Sequence, residues 1–152
     1  MHDLPWAAAF EGAICMGNSL GGLDDAGLAA FFRAVAHTLK PGSRLVVETR
    51  FVAESLLPNL KERNWASAGA LFYLAHSRYD LVQGRLHMDF TFIRDGQVEK
   101  KSGFGQVHTY KEFCRLLEKA GFHALEGYAS PTQEPYRLGA LELFLVATKK
   151  GS

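Results

Sequence analysis

The chain has 152 residues, 47% of them hydrophobic and 22% charged, with a formal net charge of +1 at pH 7. That length suits one ordinary domain able to bury roughly two-thirds of its unfolded surface, and the composition excludes a disordered chain. No apolar run approaches the roughly 18 residues a membrane span needs, the balanced charge offers no basic stripe for nucleic acid, and the N-terminus lacks a signal-peptide layout. The expectation is a cytoplasmic globular protein with neither membrane nor nucleic-acid partners.

The first predicted element is Gly12 to Met16, a short apolar run ending in glycine that suits a strand covered on both faces. Asp24 or Asp25 offers an N-cap, and Leu28, Phe31, Phe32, Val35 and Leu39 recur at helical spacing until Lys40-Pro41-Gly42 is expected to stop the helix. Arg44 to Thr49 follows as a second strand with β-branched residues at its centre. Strand, helix, Pro-Gly and strand make a parallel βαβ unit. Residues 52–64 read as helical pieces broken at Pro58.

From Leu71 the pattern changes. Leu86, Met88, Phe90 and Phe92 alternate with Arg85, His87, Asp89 and Thr91, the period of a half-buried antiparallel strand, and Asp95-Gly96 supplies a hairpin turn. A strict two-residue turn would set Glu99 and Lys101 on the face of Phe92 and Phe90, so either that face is partly wet or a bulge shifts the register. Thr109-Tyr-Lys-Glu112 is a capping box that opens a helix carrying Phe113, Leu116, Leu117 and Ala120 on one face and ending at Gly121. Phe122 to Tyr128 and Leu141 to Thr148 close the chain as strands. The fold class is α/β, a single domain over 1–152 with an antiparallel ribbon inserted at about 71–108.

Four stretches in order carry a family likeness: "LPWAAAFEGAICMGNSLGGL", "LKPGSRLVVET", "TYKEFCRLLEKAGF" and the final "LFLVATKK". With them the chain resembles the C-terminal part of a class I S-adenosylmethionine-dependent methyltransferase, especially the small-molecule branch that includes sugar N,N-dimethyltransferases. Glu11 stands where such enzymes usually have Asp, and Ser43 where they have a second glycine. The resemblance implies strands four to seven of a Rossmann-like sheet, S-adenosyl-L-methionine as cofactor, and methyl transfer to the nitrogen or oxygen of a small-molecule acceptor. It also implies a deficit, because the G-x-G-x-G loop and the acidic ribose-binding residue of complete relatives are not in this sequence. The chain alone is then expected to be inactive, with the first predicted strand an apolar edge that self-associates or pairs with a separate N-terminal half.

For the site, the resemblance aligns Met1 and His2 with adenine contacts, and Cys15, Met16, Gly17 and Asn18 with the methionine part of the cofactor. The last four also stand at the carboxyl end of a strand, where α/β proteins place ligands; the alternative is that Cys15 and Met16 are core and Gly17-Asn18 merely turns the chain. Glu48 and Arg50, with Thr49 between them, either orient the acceptor or are strand-end charges. His87 and Asp89 share one face of the ribbon: they cover the acceptor pocket, with His87 as a general base, or they belong to a solvated face. His108 reads as structural, and Gly21-Gly22 as a flexible run rather than a phosphate loop. Cys15 and Cys114 lie outside any C-x-x-C pattern, which points to reduced thiols and no metal site. Two readings from other classes stand beside the methyltransferase: a non-catalytic dimerisation or interaction module, and, opposed by the missing G-x-G-x-x-G fingerprint, another nucleotide-using α/β enzyme such as a reductase.

Overall fold

The computed structural model describes residues 4–151. In chain order the elements are β1 (Phe10–Cys15), α1 (Asp25–Thr38), β2 (Leu39–Thr49), α2 (Ala53–Leu56), β3 (Arg63–Ala68), β4 (Leu71–Asp80), β5 (Arg85–Arg94), β6 (Gln97–Gln106), α3 (Tyr110–Lys119), β7 (Phe122–Tyr128) and β8 (Leu143–Lys149). They build two four-stranded sheets, one ordered β1-β2-β8-β7 and the other β3-β4-β5-β6.

In the first sheet β1 and β2 run parallel, and β8 then pairs antiparallel with both β2 and β7. The crossover helix α1 begins where Asp24, in extended backbone, accepts a 2.7 Å hydrogen bond from the Gly27 N–H, satisfying one of the orphan donors of the first turn. The helix ends three residues before the expected Pro-Gly stop. Leu39, fully buried, is already extended and pairs with Phe10, and the next aligned pair is Gly12 with Arg44. Lys40, Pro41 and Gly42 are exposed and bulge out of the strand, where a missing N–H costs the ladder nothing. Burial of Leu39 therefore decides the boundary, and the Pro-Gly pair shapes a bulge inside β2.

Both long helices cover one face of this sheet. Leu45 and Val47 on β2, Leu143, Leu145 and Ala147 on β8 and Phe122 on β7 are buried in one cluster with Leu28 and Phe32 of α1 and Phe113 and Leu117 of α3. The rings of Phe32 and Phe113 meet edge-on at 5.3 Å. Thr109 and Glu112 form the capping box of α3 in both directions. On the opposite face Val46, Phe144 and Val146 are only half-buried, and Ile14 on the edge strand β1 is 77% exposed.

The second sheet is an antiparallel meander. Asp95 and Gly96 both have positive φ (50° and 75°), and Arg94 pairs directly with Gln97, so the hairpin is a two-residue turn without a bulge. Glu99 consequently faces Phe92 and Lys101 faces Phe90; that face is wet, and Glu99 and Lys101 form an exposed ion pair at 3.1 Å. The helical pieces expected up to Asn64 reduce to the single turn α2, because Arg63–Ala68 is drawn into a ladder with β4. The sheet so begins at Arg63, upstream of Leu71. It meets the segments that follow β1 and β2 at Gly105, where a Cβ would come within 2.5 Å of the Phe51 ring and 2.9 Å of Gly22; only glycine allows that crossing.

Candidate functional site

The carboxyl ends of the parallel strands β1 and β2 are tied together by side chains. Gly17 and Asn18 follow β1 with positive φ of 71° and 59°, conformations that glycine and asparagine tolerate best. This turn lets the Gly17 N–H donate to Glu48 Oε2. It also lets Asn18 Oδ1 accept from Thr49 Oγ1 at 2.9 Å and from the Arg50 N–H at 3.0 Å. Of the predicted residues, the structure brings together Cys15, Met16, Gly17, Asn18, Glu48 and Arg50 at one end of the sheet. Met1 and His2 lie outside the described residues.

Glu48 is buried and Thr49 nearly fully so, whereas Met16 is 43% exposed and a Cβ at Gly17 would meet nothing within 4 Å. Backbone at Met16 and Gly17 is thus open to a ligand, over a buried carboxylate. Burial pushes the Cys15 thiol above its ordinary value, reinforced by the negative charge of Glu48 and opposed by a hydrogen bond with Ser19. The Cys15 thiol is therefore not a thiolate nucleophile at neutral pH.

Arg50 turns to the other side, where its Nε stands 3.4 Å from Glu142 Oε2. Both residues line a cleft with Lys61, Asn64, Ala75 and Ser77, between the end of β2 and the second sheet. His87 and Asp89 do not reach it. Ala75 and Ser77 pair with Phe90 and Met88, while His87 pairs with Arg78 and Phe104, and Asp89 with His76 and Ser102. Side chains alternate across a strand, so His87 and Asp89 point from the opposite face. Asp89 there accepts from Ser102 Oγ at 2.7 Å and lies 3.6 Å from Arg78; the Ser102 bond, aided by Arg78, holds its carboxyl below the usual range. His108, read from the sequence as structural, is buried, bonds through Nε2 to Asp25 Oδ1 at 2.8 Å and clamps the start of α1 to the approach to α3.

Sequence reasoning missed Lys61, Ser77 and Glu142. Lys61 sits in an unremarkable charged run, Ser77 is one small residue of a long strand, and Glu142 meets Arg50 across 92 positions. No local pattern encodes such a pairing.

No protein-family profile matches the chain, and no curated protein does. Solved structures do. A methyltransferase from Clostridium acetobutylicum described as S-adenosylmethionine-dependent superposes with a TM-score of 0.79 at 15% identity, over 99% of this chain and 62% of its own. The CcbJ methyltransferase from Streptomyces caelestis gives 0.80 at 15% identity, over 98% and 60%. An amino pentose methyltransferase from Micromonospora echinaspora, solved with S-adenosylmethionine bound, gives 0.66 at 17% identity, over 99% and 61%. The chain shares its fold with these methyltransferases. It spans about three-fifths of their length. No helix among the described residues is long and apolar enough to cross a membrane.

Proposed function

We propose that this chain is the acceptor-side part of a cytoplasmic, S-adenosylmethionine-dependent methyltransferase acting on the nitrogen or oxygen of a small molecule. The observation that carries this reading is the joint between Gly17-Asn18 and Glu48-Thr49-Arg50, which opens backbone toward a ligand at the carboxyl ends of two parallel strands. In this reading β1, β2, β7 and β8 are strands four, five, six and seven of a Rossmann-like sheet, and β3 to β6 are an insertion after strand five.

The site residues fit one end of the cofactor. Cys15, Met16, Gly17 and Asn18 would line its methionine part, with the buried Glu48 carboxylate supplying negative potential beside a cationic group. S-adenosylmethionine, when bound, supplies a methyl group on an electrophilic sulfonium. Positioning contributes on the order of 7–11 kcal/mol in well-oriented reactions, so the task of this chain's residues is to hold the acceptor in line and exclude water. Arg50 and the cleft beside it do the holding. No G-x-G-x-G segment occurs in the 152 residues, so the adenosine end needs a further polypeptide segment, and the chain alone is inactive.

The test is an NMR titration of the chain with S-adenosylhomocysteine. Weak, saturable shifts confined to the amides of Met16 to Ser19 and Glu48 to Arg50 are expected, without methyl turnover. No response at those amides at millimolar ligand overturns the reading.

A second reading, a non-catalytic interaction module, is favoured by one observation: β1 is a sheet edge whose Phe10 and Ile14 are exposed. Such edges recruit partners, either a second copy or a separate N-terminal half. Sedimentation separates the two readings, since concentration-dependent self-association abolished by Ile14→Lys, with no response to S-adenosylhomocysteine, supports the module.

A further inference from the structure

The cleft between the end of β2 and the second sheet has a volume of about 410 Å³ and is lined by Arg50, Lys61, Asn64, Ser77, Leu141 and Glu142 among others. That volume lies within the range of small-molecule sites, about 300–1,000 Å³. Its floor is built and its polar groups there are already used. Ser55 Oγ and the Tyr136 hydroxyl bond at 2.6 Å, Asn59 Nδ2 donates to the Ser55 carbonyl at 2.8 Å and to the Gly139 carbonyl at 3.1 Å, and the Gly139 N–H donates to the Glu54 carbonyl at 2.9 Å. These bonds pin α2 against the loop that carries Leu141 and Glu142.

The groups left to meet a ligand are chiefly cationic. Arg50 touches Glu142 only through Nε, and its side chain is 67% exposed, so the rest of its guanidinium fork is available. Lys61 joins no ion pair among the described residues. Two cations against the single carboxylate of Glu142 leave the lining positive. Leu56, Leu60 and Leu141 supply apolar surface between them.

We propose that this cleft binds the methyl acceptor through an anionic group on the acceptor, a phosphate or a carboxylate, held between Arg50 and Lys61. The inference rests on the cleft being the acceptor site. A guanidinium fork matches either anion with two parallel N–H donors, and an ammonium adds a mobile point charge. Glu142 is a positioning residue. It aims the guanidinium across the cleft and is the internal competitor that an incoming anion displaces.

The experiment titrates the 152-residue chain, free of S-adenosylmethionine, with inorganic pyrophosphate and separately with galacturonate, following backbone amides by NMR. Saturable shifts at Ser55, Leu60, Ser77 and Leu141 are expected from at least one of the two. A response to pyrophosphate alone assigns a phosphate ester, and a response to galacturonate alone assigns a carboxylate. Arg50→Ala and Lys61→Ala each weaken the dissociation constant about tenfold, the low end of a charged hydrogen bond. Glu142→Gln strengthens it several-fold, an effect that a merely structural Glu142 would not produce and that survives if Arg50→Ala fails to fold. Absence of saturable shifts with both probes overturns the proposal. So does binding that persists in the Arg50→Ala, Lys61→Ala double variant or centres on Lys100 and Lys101. Failure here with the S-adenosylhomocysteine response intact rejects only the anionic acceptor, whereas the reverse outcome rejects the methyl-donor reading and leaves an anion site.

Discussion

The two sheets hold together by different means. In the first, Leu45, Val47, Leu143, Leu145 and Ala147 are at most 1% exposed and pack under two helices. Each of those buried leucine and valine side chains contributes about 1.5–3 kcal/mol relative to exposure. In the second, Leu86 is the one buried apolar side chain among the described strand residues, while Trp65 and Phe104 are 66% and 59% exposed. Its cohesion comes from ladder hydrogen bonds and surface pairs, such as the stacked Phe90 and Phe92 rings at 6.0 Å and Arg85 lying 4.8 Å over the Phe104 ring. Contacts of that kind contribute about 0.2–1 kcal/mol each. The contrast teaches that the Gly17-Asn18 joint stands on framework packed under two helices, while the cleft has one wall backed by that core and one wall from the more exposed sheet.

The largest expected break of this contrast is Phe32→Ala. Phe32 is fully buried against Phe31 and Phe113, so its loss costs about 3–5 kcal/mol in chemical denaturation and unfolds the first sheet's layer. Asn18→Ala comes next. It leaves the Thr49 hydroxyl and Arg50 N–H without their acceptor and is expected to cost about 1–3 kcal/mol, with faster amide exchange at Arg50 as the site-specific readout. Thr109→Ala removes one half of the α3 capping box and is expected to cost about 1 kcal/mol.

A pH scan sharpens the same comparison. Burial, with Cys114 alongside, pushes the Tyr110 hydroxyl from 10.0 up to about 12. A group whose folded value is raised gives stability that is complete below the unfolded value and is lost as pH rises through the folded one. The α3 layer therefore loosens between about pH 10 and 12. Tyr110→Phe is expected to flatten that step in the melting temperature, and a step unchanged in the variant removes Tyr110 from the cause. The smallest effect belongs to the second sheet, where Trp65→Ser changes stability by no more than about 0.5 kcal/mol.

Local chemistry was legible wherever one segment satisfies itself. The capping box at Thr109, the N-cap at Asp24, the Asp95-Gly96 hairpin and the apolar rhythm of α1 and α3 each complete their bonds within a few residues, so their spacing announces them. The joint of Cys15, Met16, Gly17 and Asn18 with Glu48 and Arg50 was legible through the parallel βαβ arrangement, because strand ends that share a direction bring their following turns side by side. His87 and Asp89, read either as covering the acceptor pocket or as part of a solvated face, lie on the face away from the Arg50 cleft for a complementary reason. Alternation shows that they share a face, and only the docking of the sheet at Gly105 against Gly22 and Phe51 decides which face looks inward.

The sequence alone marked the first strand-helix-strand unit, the capping box that opens α3, the Asp95-Gly96 turn and the residues at the ends of the parallel strands, since these follow from dihedral preferences and from periods of two and 3.6. Only the tertiary structure decided the end of α1, the existence of β3, the wet face at Glu99 and Lys101 and the meeting of Arg50 with Glu142 in a cleft. Each of those depends on burial or charge shared between segments far apart in the chain, which no local pattern records.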